Sequence, residues 1–283
     1  MKSKSVSLLP LMVAMVTCIS CGRGRTLSDL GSSDSVAVED SVEEDSVLFF
    51  EEEDEGLSLE KQKTEAFADF IFAFTHSGRF QAERIRFPLP VTDAEGQEST
   101  IRSGRQFREE FNLPGNDYYT LILGDKSQMD VLQDDSALHA VTLQHIRLGH
   151  HKAVNYHFTR TDGRWYLASR RCEALQPHVS DFLTFYNHFS TDSLFQQESL
   201  ARELFFSMDD PDMGGIEGII EPDQWPSFRP VMPTEEFVNI DFGQTFPHPH
   251  RIYFLQCGLS NGMLDIFTFR HEDGRWKLTA YEN

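Results

Sequence analysis

The feature that most constrains this chain is a repeat within it. At an offset of 115 residues, Phe67, Phe70, Phe74, Phe80, Gln81 and Glu83 match Phe182, Phe185, Phe189, Phe195, Gln196 and Glu198. A second block matches at an offset of 111: Phe158, Asp162, Gly163, Arg164, Trp165 and Leu167 against Phe269, Asp273, Gly274, Arg275, Trp276 and Leu278. Two ordered blocks at nearly the same offset mean one unit copied in tandem, with loop changes inside it. The copies span 58–175 and 176–283, and whatever fold the chain adopts must be buildable twice from about 110 residues.

Each copy opens on aromatic residues at helical spacing. Phe67, Phe70 and Phe74, like Phe182, Phe185 and Phe189, line one face of a helix and predict a core stripe rather than a cofactor box. A short second helix carries the Phe-Gln-x-Glu element, and another is expected near 105–111. Segments of β character follow at 118–123, 138–148, 153–160 and 164–169, and again at 237–242, 251–257, 264–270 and 275–281. Asp162-Gly163 and Asp273-Gly274 are hairpin turn signals that place Trp165 and Trp276 at equivalent core positions on the last strands. Helices followed by an antiparallel meander give an α+β layer structure in each copy.

The aromatic helix together with the closing Asp-Gly-Arg-Trp hairpin resembles the nuclear-transport-factor-2-like (NTF2-like) superfamily. That resemblance implies two cone domains in tandem, each with N-terminal helices packed on a curved antiparallel sheet. With the N-terminal features below, the chain is most similar to tandem-domain lipoproteins of unknown function from gut anaerobes. Members of the superfamily include ketosteroid-isomerase-like and dehydratase enzymes and many non-catalytic binding modules, so the fold leaves the activity open. The isomerase-like members imply a Tyr near the first helix and Asp residues on the sheet. Phe67, Phe70 and Phe74 occupy that helix face here, Tyr186 in the second copy has no evident partner, and no catalytic set carries over.

The N-terminus predicts export. Lys2 and Lys4 precede an uncharged stretch over 6–19, too short for a comfortable membrane span, which ends in Cys18-Ile19-Ser20-Cys21-Gly22. This resembles a lipobox, although Cys18 stands where Leu is usual. The expectation is a signal peptide over 1–20, a lipid on Cys21, a lipidated acidic tether over 21–57, and a cell-envelope location, periplasmic or cell-surface. Residues 26–60 hold 13 Asp or Glu and no Lys or Arg, and like-charge repulsion keeps such a segment open. Within it, Val47-Leu48-Phe49-Phe50 is an apolar exception. The formal net charge of −20 repels phosphate backbones, which excludes nucleic acid as a natural partner.

Candidate sites are sparse. His139 and His145 share one face of the strand 138–148 with Val141 and Leu143. The other face carries Leu138, Ala140, Ile146 and Leu148 and is expected to face the helices, which leaves the histidine face as an open surface for a pocket or an interface. From this follows the expectation that the two copies pack sheet against sheet as an intramolecular pseudo-dimer, making the body a monomer. His150-His151 and His248-Pro249-His250 lack a third and fourth ligand in any recognisable spacing, so no metal and no cofactor is assigned. The acidic stretch 209–233 is expected to be the longest irregular insertion and a place for partner contact. Cys172 and Cys257 form either a bridge or two buried thiols. The functional expectation is a non-catalytic binder of a small apolar ligand or an envelope protein. An isomerase, dehydratase or hydrolase acting in one cone and a structural lipoprotein with filled cones are the alternatives.

Overall fold

The computed structural model describes residues 64–111, 113–114, 117–210, 214–259 and 262–283. Cys21, the export segment and the acidic tether lie outside the described residues.

Two helical hairpins anchor the fold. Helix α1, Phe67–His76, buries Phe67, Phe70, Ile71 and Phe74, and α4, Pro177–Thr191, buries Val179, Phe182, Leu183, Tyr186 and Phe189, with Phe185 half-buried beside them. Each is followed by a six-residue helix, α2 (Gly78–Glu83) or α5 (Ser193–Glu198). Ser77 and Asp192 cap these by accepting backbone N–H groups with their side chains. Helix α1 has no local cap. Its first N–H, that of Phe67, donates to Asp135, far along the chain, which satisfies an otherwise orphaned donor. The Asp135 carboxylate is held in turn by Arg160 at 2.8 Å, in a pair with side chains only 14% and 4% exposed.

The remaining elements are β1 (Leu89–Thr92), β2 (Glu98–Ile101), α3 (Gly104–Glu110), β3 (Tyr118–Leu123), a 3-10 segment Lys126–Leu132, β4 (Ala140–Arg147), β5 (Lys152–Thr161) and β6 (Arg164–Ala174). The second half supplies β7 (Leu200–Asp210), β8 (Gly214–Ile220), α6 (Trp225–Phe228), β9 (Glu236–Asp241), β10 (Arg251–Gly258), β11 (Leu264–Glu272) and β12 (Arg275–Glu282). These strands form one twelve-stranded sheet in the order β2-β1-β6-β5-β4-β9-β3-β10-β11-β12-β7-β8. The order is the same from either end: a hairpin, a parallel step to the last strand, a meander, and then a third strand contributed by the opposite half. Strand β9 pairs with β4 and strand β3 with β10, both antiparallel, while β3 and β9 meet in parallel at the centre.

A parallel central pair between two repeated halves requires that their helices cover opposite faces of the sheet. The burial agrees. Leu121, Leu123, Val238 and Ile240 join the core beneath α1, whereas their neighbours Ile122 and Phe237 join the core beneath α4, as the two-residue alternation of a strand demands. The halves therefore continue one another edge to edge and do not stack face to face as the sequence led us to expect. Backbone pairing between β4 and β9 and between β10 and β3 closes what would be two open sheet edges, a stronger demand than covering a face.

The same arrangement reverses the expected facing of the strand 138–148. Val141 and Leu143 are 3% and 1% exposed and lie under α1, while Ile146, on the opposite face, belongs to the second core. Counting apolar residues assigned the wrong face because what covers this strand changes along its length. A second correction concerns 209–233. Much of it is ordered: β7 and β8 form a hairpin there, and α6 buries Trp225. Glycine and acidic residues hide a strand whose side chains are mostly exposed and which is held by its backbone.

The closing hairpins behave as expected. Asp162 and Asp273 have φ of 49° and 51°, followed by Gly163 and Gly274 at 72° and 75°, the left-handed pair that matches strand twist in a two-residue turn. Trp165 and Trp276 follow, 0% and 6% exposed. Each meets the first aromatic of its helix edge-on, Phe67 at 5.2 Å and Phe182 at 5.5 Å between ring centroids. Among the described residues, no helix is long and apolar enough to cross a membrane.

Candidate functional site

Beside the start of α1, the first half keeps a cleft of about 210 Å³. Its floor is Phe67, Leu121, Val141 and Ile240, contributed by α1, β3, β4 and the exchanged strand β9. Tyr119 and Phe242 form one wall, and the segment from Val131 to Leu138 forms the other. The cleft depends on strand exchange, because Ile240 and Phe242 belong to the second half.

The polar groups around it are occupied by structural work. Asp135 accepts from Phe67 and Arg160, and Arg160 also donates to the Asp135, Ser136 and Glu65 carbonyls while stacking over Trp165 at 4.2 Å. Burial raises the Tyr119 hydroxyl well above its ordinary value, with a hydrogen bond to the Cys257 thiol adding to the effect. Burial likewise pushes that thiol up to about 12. Both groups stay neutral at ordinary pH. Asp134, at the lip, is an exposed carboxylate held below its ordinary range by the Ser136 hydroxyl and backbone N–H.

At the corresponding position the second half is closed. The space between the start of α4 and the central strands, lined by Ile122, Gln144, Val179, Asn239, Gln244 and Phe246, amounts to about 20 Å³. Phe246 seals it with its ring against His178, 4.0 Å between centroids. Further along, Trp225 packs edge-on against Tyr281 and fills the second core with Met232. Tyr186 is fully buried there, and its hydroxyl has no hydrogen-bond partner.

The histidines singled out from sequence are not brought together. His139 is exposed, and its carbonyl accepts from the backbone of Arg160. His145 is 6% exposed, and its Nε2 donates to Glu236 at 2.9 Å, with Arg147 on the same carboxylate at 3.1 Å. Six residues of strand separate the two histidines by roughly 20 Å. Of the four residues proposed for a pocket or interface, Val141 lines the cleft, while Leu143 lies in the same core. Tyr119, Asp135, Arg160 and Glu236 were not anticipated, because the partners of their side-chain hydrogen bonds lie 24 to 138 positions away without any repeating spacing. His151 bonds Ser180, and His250 stacks on His271. No group of three or more His, Cys, Asp or Glu among the described residues is placed to hold a metal. Cys172 and Cys257 are both free, the first half-buried and the second buried.

The fold is α+β and NTF2-like. A solved structure of an NTF2-like protein from Bacteroides fragilis NCTC 9343 superposes with a TM-score of 0.69 at 29% sequence identity, covering 78% of this chain and 96% of that one. No curated protein matches the chain. A family model described as a domain of unknown function, DUF4348, matches residues 49–283, and by that match the chain belongs to this family.

Proposed function

We propose that this is a cell-envelope lipoprotein, anchored through Cys21, that binds a small apolar ligand in the cleft of its first half without transforming it. The observation carrying the reading is the cleft itself, an apolar floor of four side chains from both halves beneath a rim whose two acids are both engaged by backbone N–H groups, Asp135 by that of Phe67 and Asp134 by that of Ser136. Concave, mainly apolar sites with few polar groups are the usual form of small-ligand pockets. Catalysis would require a titratable group free to exchange a proton with the ligand. Asp135 is locked between Phe67 and Arg160, and Tyr119 is held neutral against Cys257. The tandem repeats form an intramolecular pseudo-dimer in which the second copy, its own space filled, serves as scaffold and supplies one wall.

Ala68 is exposed at the lip of the cleft, so Ala68→Trp overhangs the opening without touching the core. Binding of the apolar dye Nile red to the purified protein, followed by fluorescence, should be saturable and about tenfold weaker in this variant, the loss of roughly 1.4 kcal/mol. Equal binding by both proteins would sink the ligand reading. Anchoring is tested separately: Cys21→Ser should move the protein from the membrane fraction to the soluble one, and an unchanged membrane fraction would refute lipidation at that residue.

A further inference from the structure

The outer face of β10, β11 and β12 carries a row of cations that folding does not explain. Arg251 stands directly opposite Arg270, and Arg270 directly opposite Lys277. Side chains so paired share a face at about 4.5 to 5.5 Å between Cβ atoms, where like charges are destabilising. The internal repeat supplies a control. At the positions 111 residues earlier, the same rung is Ala140, Thr159 and Tyr166, paired in the same register. One backbone thus carries a neutral rung in the first half and three cations in the second, within a chain of net charge −20.

The cations are not used up by neighbours. Arg270 is exposed, and its side chain makes no hydrogen bond or ion pair among the described residues; neither does that of Lys277. Arg251 reaches only the Tyr253 hydroxyl, at 3.4 Å. Arg251 and Arg270, together with His248, His250, His271 and Glu272, line an open cleft of about 300 Å³. Two acids border it. Asp125 is held below its ordinary carboxyl range first by the Ser127 hydroxyl and backbone N–H, with His248 and Arg251 as lesser causes. Glu272 stands opposite Arg275. Neither bonds Arg270.

We propose that Arg251 and Arg270, with Lys277 beside them on the next strand, form an anion site that takes a phosphate or sulfate group. Cationic side chains on adjacent strands lie about 4.8 Å apart, close enough for one tetrahedral oxyanion to accept from two at once. The guanidinium fork suits that geometry. A concave site of this size admits one such group rather than the broad face of an acidic protein. Local repulsion that a fold tolerates without compensation is a mark of function, and the bound anion supplies the compensation.

The variant Arg270→Thr, which restores the first half's residue at an exposed position, separates this role from a structural one. Inorganic pyrophosphate and, in a second arm, phosphatidylglycerol vesicles are titrated into the full chain at low and high salt. Salt-sensitive binding to pyrophosphate assigns the group to a small soluble ligand; binding to vesicles alone assigns it to a lipid headgroup; both support the site. In either arm Arg270→Thr should weaken binding about tenfold, the loss of one charge-assisted hydrogen bond. Without ligand, its melting temperature should hold or rise, because a repulsive pair is gone. Absence of salt-sensitive binding in both arms, undiminished binding by the variant, or a lowered melting temperature would each overturn the proposal.

Discussion

At the scale of single residues, the duplicated aromatic positions carry the most energy. Trp165 and Trp276 each fill the angle between the last strand and the first helix of their half, and each indole N–H has an acceptor, the Glu65 carbonyl at 3.1 Å or the Asp181 carboxylate at 3.2 Å. Truncating either to Ala removes a buried ring and leaves a cavity, at a cost of about 3 to 5 kcal/mol. We expect urea unfolding midpoints to fall in both variants, with Trp165→Ala the more damaging. Trp165 is the more enclosed of the two, and its backbone N–H also donates to Glu65, whose carboxylate is gripped at both oxygens by Arg84. Midpoints equal to that of the parent would contradict the duplicated core.

Among elements, the seam between β4 and the exchanged strand β9 is the one with a titratable lock. The Glu236 carboxyl on β9 is held below its ordinary value of 4.5, chiefly by the hydrogen bond from His145 and further by Arg147, both on β4, against a smaller opposing effect of burial. A depressed folded-state pKa adds stability above the ordinary value and loses it as pH falls through the folded one. The contribution is therefore intact at neutral pH and disappears below pH 4.5. His145→Gln should lower stability at neutral pH and converge on the parent in acid, which flattens this limb. Unfolding midpoints measured from pH 7 to pH 3 test it, and identical acid limbs in parent and variant would remove Glu236 as the lock.

For the whole molecule, strand exchange makes the halves interdependent. Residues 58–175 alone would contain β3 without its partner β10 and would leave β4 with an open edge, while 176–283 would lack a partner for β9. An unpaired edge bordered by apolar side chains promotes association rather than stable folding. We expect residues 64–283 to unfold in a single transition by calorimetry, and either half expressed by itself to aggregate or to pair with another copy. Two independent transitions, or a stable monomeric half, would show that the exchange is dispensable.

The parts are written in local sequence. Aromatic residues three and four apart specify α1 and α4, and Asp-Gly fixes the closing turns because left-handed backbone favours those residues. The repeat establishes that each helix and hairpin is made twice. These are local properties, set by neighbours a few positions apart, and they were legible. The assembly was not. Whether β3 pairs within its own half or with β10 involves the same backbone hydrogen bonds, and no side-chain pattern distinguishes the two. The facing of Val141 and Leu143 depended on which helix covers β4, and the cleft on Ile240 and Phe242, borrowed from the second half. The row Arg251, Arg270 and Lys277 appears in sequence as three scattered cations, and only strand register, a long-range quantity, sets them side by side.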